Sequence, residues 1–200
     1  MMTSIYNAQI SAGSLLIPES RKVAEVLLQA RDQPPDWQRL IQIDNILQKR
    51  SPSSAWRQLR LLRNRLEPAA PELLQIIAHA DNAAAIQVLL ALTIRHSHLL
   101  GDFLQQVVKE HARHFETHLS AYDWPKFLAE CALQAPEINK WSDSTHKKLG
   151  QVIYRILAEA KYIDGTRTLR LLPVRLLPQV QQCLAQCGET YALNCMLLTS

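Results

Sequence analysis

Apolar and polar residues follow one another along this chain mainly with the period of an amphipathic helix. Apolar positions recur at spacings of three and four, and prolines or short polar stretches separate the periodic segments. The pattern predicts helices over residues 18–31, 36–48, 52–66, 71–80, 82–97, 99–118, 124–135, 143–161, 176–187 and 189–198. The predicted fold class is therefore mostly α, a compact multi-helix protein.

One segment does not follow the helical pattern. Residues 162–174 contain the turn signal Asp164-Gly165, with apolar or aromatic residues on both sides. This pattern predicts a small β-hairpin. Because the segment follows the helix predicted over residues 143–161, the arrangement resembles a winged helix.

The N-terminal third is predicted to form a unit of three helices. The short turn 49–51 joins helix 36–48 to helix 52–66, as in a helix-turn-helix, although the customary glycine is absent. Asp44 falls on the apolar side of helix 36–48, where it needs a partner such as a nearby arginine. We therefore divide the chain into an HTH-like unit, residues 1–68, and a helical bundle, residues 69–200. We expect them to pack as one globular body.

Composition and charge restrict the class of protein further. The 200 residues are 48 % hydrophobic, and the net charge of +4 is divided unevenly. Residues 1–70 carry +4, residues 71–140 carry −3 and residues 141–200 carry +3. Two basic ends around an acidic middle indicate a localised site for a polyanion. No export signal or membrane-spanning segment is visible, and four cysteines without a signal indicate reduced thiols in the cytoplasm.

The densest positive charge lies in residues 49–66, and no acidic residue occurs between Asp44 and Glu67. Ser51 can cap a helix there and Pro52 suits its first position. Apolar residues form one stripe of this helix, and arginines at spacings of three climb the opposite side. A guanidinium fork binds phosphate well. The cations predicted to contact nucleic acid are Lys49, Arg50, Arg57, Arg60, Arg63 and Arg65.

A second basic cluster lies near the C-terminal end of the chain. Lys147, Lys148 and Arg155 belong to helix 143–161, and Arg167 and Arg170 belong to the predicted hairpin. The remaining members of the cluster are Lys161 and Arg175. The cluster is predicted to extend the nucleic-acid site along a backbone or in a minor groove, and its predicted contact residues are Lys147, Lys148, Arg167 and Arg170. The alternative is a set of solvated charges and local ion pairs.

Catalytic and metal-binding patterns are weak. His111, His114 and His118 can share a helix face, but the HExxH order is absent. Cys183 and Cys187 lack the CxxC spacing of a zinc site and are expected to be free thiols. The five glycines form no phosphate-binding loop, and no nucleophile motif occurs. The sequence therefore predicts no enzyme, no metal and no cofactor.

Two stretches resemble a known family. The residues GSLLIPESRKVAEVLL (13–28) and NILQKRSPSSAWRQLRLLRNRL (45–66) are similar to the BrxA family, which is encoded in bacterial BREX bacteriophage-defence systems. The resemblance implies a compact helical protein without a catalytic centre that binds double-stranded DNA. It also implies a fold like that of the antitermination factor NusB, and other BREX proteins as candidate partners.

The function expected from these observations is a cytoplasmic, non-catalytic, DNA-binding component of a BREX system. An RNA-binding, NusB-like antitermination module is one alternative, so RNA stays a candidate ligand. A helical scaffold whose arginines bind an acidic protein is the other alternative. No membrane partner is expected.

Overall fold

The computed structural model describes residues 6–30 and 33–198, and this part of the chain is mostly helical. The predicted mostly-α class is therefore confirmed. The helices are α1 (Ile17–Ala30), α2 (Trp37–Gln42), α3 (Pro52–Leu66), α4 (Pro71–His79), α5 (Asn82–His96), α6 (His98–Phe103), α7 (Lys109–Arg113), α8 (Asp123–Gln134), α9 (Asp143–Glu159), α10 (Pro178–Gln186) and α11 (Thr190–Met196). A π-helical segment, Leu104–Val108, connects α6 to α7, and 3-10 turns occupy Gln9–Ala12 and Pro136–Lys140.

Helix α3 begins where its local sequence predicts. The Ser51 hydroxyl oxygen accepts a hydrogen bond from the Ser54 backbone N–H at 3.4 Å, and Pro52 occupies the first turn. The predicted apolar stripe is buried, since Leu59 and Leu62 are at most 1 % exposed. This stripe packs on α1, on α5 and on the 3-10 turn at residues 9–12.

Helix α2 is much shorter than predicted. The helix expected over residues 36–48 ends at Gln42, and residues 43–51 form an irregular connection to α3. Asn45 has a positive φ of 43°, and its side chain bonds both backbone groups of Lys49. A residue with a left-handed backbone cannot lie inside a right-handed helix, so the helix cannot continue through Asn45 to residue 48. The tight turn on which the helix-turn-helix interpretation depended is therefore absent.

Asp44 also differs from its prediction. It lies beyond the end of α2 and is exposed, with its carboxylate 3.8 Å from Nε of Arg39. It needs no buried partner there, although the pairing with an arginine occurs as expected.

Helix α5 forms the centre of the core. Its residues from Ala84 to Ile94 are almost all buried, and it contacts α1, α3, α4, α6, α10 and α11. In the described residues, no single helix is both long enough and apolar enough to cross a membrane. The helical stretches Asn82–His96 and His98–Arg113 pass this test of length and composition only when they are taken together, and they are bent by 111° relative to each other.

Contacts of α1 with α4 and of α3 with α5 cross residue 68. The proposed division there stays a prediction.

An aromatic cluster joins α8 to α9. The Trp124 ring lies against Phe103 and Phe127, and its indole N–H donates to the His146 carbonyl at 2.9 Å. Gly150 of α9 lies directly under this ring, because a Cβ at that position would be 2.6 Å from Cδ1 of Trp124. The glycine therefore permits the close approach that orients α9.

The predicted hairpin at residues 162–174 is wrong, and with it the winged-helix interpretation. The described part of the chain contains no β-strand, only the isolated antiparallel bridges Ile163–Leu171 and His118–Arg170. Leu169 has a positive φ of 55°, which interrupts an extended conformation. The Asp164 carboxylate accepts hydrogen bonds from the Thr168 hydroxyl and from the Arg170 backbone N–H, so a closed loop replaces the ladder.

Candidate nucleic-acid interface

The six cations of residues 49–66 divide into two groups in the fold. Arg50, Arg57 and Arg60 are exposed, and within residues 6–30 and 33–198 their side chains make no ion pair or hydrogen bond. Lys49 has a different position, since its Nζ lies 2.6 Å from Oε1 of Glu19 and its side chain is only 24 % exposed. Its charge is compensated within the protein.

Arg63 is also compensated, although it borders the surface. Its Nε donates to Oε1 of Glu67 at 2.5 Å, and its guanidinium lies 5.5 Å from the ring centroid of Trp37. The two contacts hold the side chain along α3 and against α2. Arg63 therefore links α3 to α2 through Trp37, and its charge is partly compensated by Glu67.

Arg65 cannot contact a phosphate, because its side chain is buried and only 2 % exposed. Its two Nη atoms donate to the backbone carbonyls of Ser14 at 2.6 Å and Gly13 at 3.2 Å. Burial lowers the pKa of Arg65 to about 9, and the nearby Glu159 carboxylate acts in the opposite direction. The structure therefore places Arg65 inside the fold, and not on the exposed surface where the sequence predicted it.

Arg65 and Glu159 together hold the segment that precedes α1. Glu159 accepts hydrogen bonds from the Ser14 hydroxyl at 2.7 Å and from the Leu15 N–H at 2.9 Å. This clamp keeps the 3-10 turn at residues 9–12 beside α3, where the Asn64 amide donates to the Gln9 side chain at 3.2 Å. A shallow pocket of about 260 Å³ results, and Arg57 and Arg60 border it.

Two cations of the second basic cluster, Lys147 and Arg155, line a larger groove of about 500 Å³. Lys147, Gln151 and Arg155 of α9 form one wall. The other walls come from the first turn of α8 and the residue two positions before it (Trp124, Pro125 and Ala121), and from the loop of residues 162–174 (Thr166 and Leu169).

Most cations on α9 and on the loop of residues 162–174 have no partner among the described residues. Lys147, Lys148, Arg155 and Arg167 are exposed, and no ion pair or hydrogen bond of their side chains occurs in the part of the chain that the structure describes. Arg170 is exposed but engaged, since its Nε lies 3.3 Å from Oδ2 of Asp164. Hydrogen bonds from Thr168 and Arg170 hold the pKa of the Asp164 carboxyl below its ordinary value. Arg170 therefore contributes, with Asp164, to the closed conformation of the loop of residues 162–174.

The histidines and cysteines have structural environments. His111 lies 2.5 Å from a Glu116 oxygen and 3.3 Å from an Asp123 oxygen, whereas His114 and His118 are exposed. Cys131 and Cys195 are buried free thiols, and the other two cysteines are half-buried. Among the described residues, no three His, Cys, Asp or Glu side chains are grouped to hold a metal ion.

Sequence reasoning missed Gln151, and it placed Arg155 in the second basic cluster without naming it as a contact residue. A signal was present, because Lys147, Gln151 and Arg155 are spaced by four residues and share one face of a helix. Residues 144–158 also contain no acid.

Comparison with known proteins identifies the family. The BrxA family model matches residues 4–188, which is most of the chain. This chain belongs to the BrxA family. A BrxA relative from Paramagnetospirillum magneticum (strain ATCC 700264 / AMB-1), named BREX protein BrxA, is 41 % identical over 191 residues and 96 % of each chain is covered. The resemblance to BrxA seen in residues 13–28 and 45–66 is thus confirmed.

Further BrxA relatives are more distant. The BREX protein BrxA of Escherichia coli O9:H4 (strain HS) is 34 % identical, with 88 % of this chain and 83 % of the relative covered. A solved structure, the crystal structure of an uncharacterized protein from Magnetospirillum magneticum, has a TM-score of 0.86 and 38 % identity. That comparison covers 98 % of this chain and all of the other, so the two folds agree throughout.

Proposed function

We propose that this protein is a cytoplasmic, non-catalytic component of a BREX defence system that binds the phosphate backbone of double-stranded DNA. Its family supports the place in a BREX system, because the relatives are named BREX protein BrxA. The observation that carries the DNA-binding proposal is the number of exposed cations without an acidic partner on α3 and just before it, on α9, and on the loop of residues 162–174. In the two described ranges these are Arg50, Arg57, Arg60, Lys147, Lys148, Arg155 and Arg167.

The free cations determine how strongly binding should depend on salt. Each phosphate neutralised on duplex DNA contributes about −0.9 to the slope of log affinity against log salt. Three free cations near α3 would give a slope of roughly −3, and all seven would give roughly −6. The compensated residues Lys49, Arg63 and Arg65 are expected to contribute little, since their charges are already paired or buried.

Fluorescence anisotropy with a labelled duplex at several salt concentrations tests this proposal. Arg57→Ala combined with Arg60→Ala should weaken binding to every sequence to a similar degree and reduce the slope by about two. The control is Arg113→Ala with Arg175→Ala, which also removes two positive charges but from residues outside α3 and α9; the charge of Arg113 is already compensated by Glu110 at 2.6 Å. A wild-type protein that does not bind duplex DNA at low salt would refute the proposal.

Competition with other ligands separates the alternatives. Hairpin RNA that displaces the duplex at equal or lower concentration would favour the RNA-binding alternative. Binding that is insensitive to salt, or a stronger preference for an acidic protein, would favour the scaffold. An unchanged duplex after incubation with Mg²⁺ is the expected result for a protein without a catalytic step.

A further inference from the structure

Helix α9 presents a continuous polar stripe to solvent. Ser144, Lys147, Gln151 and Arg155 are all exposed and recur at spacings of three or four, so they share one face. Lys147 and Arg155 are separated by two helical turns, about 12 Å along the axis at 1.5 Å per residue. The two acids of α9, Asp143 and Glu159, lie at the ends of this face, four residues before Lys147 and four after Arg155, so no acid lies between the two cations.

The opposite face of α9 fixes the direction of this stripe. Leu149, Ile153, Ile156 and Leu157 are fully buried, and Gly150 lies under the Trp124 ring. At the C-terminal end, Glu159 is bonded to the segment before α1. The helix therefore cannot rotate to hide its polar face, and its side chains project from a rigid element.

Two surfaces flank the stripe and face the same groove. The loop closed by Asp164 brings Thr166 and Leu169 to one side, and places the exposed Arg167 next to Thr166. Ala121 and Pro125 at the start of α8 lie on another side. A helix with a neighbouring basic loop can insert into a groove of DNA while the loop reaches the adjacent backbone.

We infer that α9 enters the major groove of duplex DNA, with Gln151 reading a base edge and Arg167 contacting a flanking phosphate. This inference rests on the proposed DNA binding and assigns its sequence-reading element. The major groove, about 12 Å wide, admits a helix, and glutamine pairs bidentately with N6 and N7 of adenine. Lys147 and Arg155, at the ends of the stripe, can contact guanine edges or phosphates.

Helix α3 would contact the DNA in a different way from α9. Its free residues Arg57 and Arg60 border a shallow pocket together with Asn64 and the 3-10 turn, whereas Arg63 and Arg65 are engaged internally. Arg57 and Arg60 would bind the DNA phosphate backbone, a contact that carries little sequence information. The two surfaces are therefore separable by substitution.

Selection of duplexes from a randomised library, followed by affinity measurements on the preferred site, tests the inference. Gln151→Ala should lower affinity for the preferred site by about 10-fold or more, with an unchanged salt slope and unchanged binding to unrelated duplexes. The matched comparison, Arg57→Ala with Arg60→Ala, should reduce the slope and keep the preference. Arg167→Ala should reduce the slope by about one and also keep the preference.

A modified base provides the second measurement. Replacing the contacted adenine by 7-deazaadenine removes the N7 acceptor, so it should weaken wild-type binding and should not further weaken the Gln151→Ala variant. Gln151 is exposed, and circular dichroism checks that the variant folds normally.

The outcomes separate the inference from the function on which it rests. A wild-type protein that binds duplexes without preference, or a Gln151→Ala variant with the wild-type preference, would overturn the placement of α9 and leave DNA binding intact. A wild-type protein that binds no duplex would overturn both.

Discussion

The histidine at the end of α5 should make stability depend on pH. His96 is half-buried, and its Nε2 atom is buried with no hydrogen-bond partner among the described residues. Burial, and then the positive charges of Arg65 and Arg95, lower the pKa of His96 from the ordinary 6.5 to about 4. The folded protein therefore holds this imidazole neutral at a pH where the unfolded chain protonates it.

The sign and size of the effect follow from this difference. Between pH 6.5 and about 4 the unfolded state binds the proton and the folded state does not, so stability is complete above pH 6.5 and falls as the solution becomes more acidic. At about 1.4 kcal/mol per pH unit, the complete effect is worth roughly 3 kcal/mol. About 2 kcal/mol should be lost between pH 7 and pH 5.

Urea denaturation at pH 7 and pH 5 measures this loss. His96→Gln removes the titrating group, so the variant should lose about 2 kcal/mol less than the wild type between the two pH values. His79→Gln, at an exposed position of α4, is the matched control for the replacement of a histidine by glutamine. Equal pH dependence in the wild type and in His96→Gln would show that the described environment does not hold the imidazole neutral.

Two further substitutions test the packing around the candidate sites. Arg65→Leu should destabilise the protein by about 3 kcal/mol or more, because two charge-assisted hydrogen bonds to the segment before α1 are lost. Urea denaturation measures the change in the free energy of unfolding, and a loss below about 1 kcal/mol would contradict this prediction. Gly150→Ala should cost about 1–3 kcal/mol, because its methyl group meets the Trp124 ring. Gly165→Ala is the control, since the nearest atom to its new Cβ would be Oγ1 of Thr168, 3.8 Å away. Equal melting temperatures of the two glycine variants would contradict the close packing of Gly150 against Trp124.

The helices could be predicted where their signals are local. Ser51 and Pro52 give the start of α3 in sequence, and the structure contains the same cap. The extent of α2 could not be predicted from periodicity, because the left-handed backbone at Asn45, whose side chain bonds Lys49, is incompatible with a helix that continues to residue 48. The loop of residues 162–174 was misread for a similar reason: the Asp-Gly signal correctly indicates a turn, but Asp164 and Leu169 replace the regular ladder.

The candidate site was harder to predict than the fold. The ion pair of Arg63 with Glu67 is readable, because residues four apart on a helix are neighbours. The pairing of Lys49 with Glu19 and the contact of Arg65 with Ser14 join residues 30 and 51 positions apart, so only the tertiary structure shows them. A dense basic run in a sequence therefore gives the number of cations and leaves open how many are available to a ligand.

The difference between α3 and α9 decides which substitutions can report on DNA binding. A variant with Arg57, Arg60 and Arg63 all changed to glutamate would confuse two effects, because Arg63 also contacts Trp37 and Glu67 and helps to hold α2 on α3. The double change at Arg57 and Arg60 avoids this, since both side chains are exposed. Helix α9 offers the cleaner case, because its basic face is free of internal partners in the described part of the chain while its other face is buried. A loss of DNA binding on substitution of that exposed face, with the melting temperature unchanged, would therefore reflect contact with the ligand.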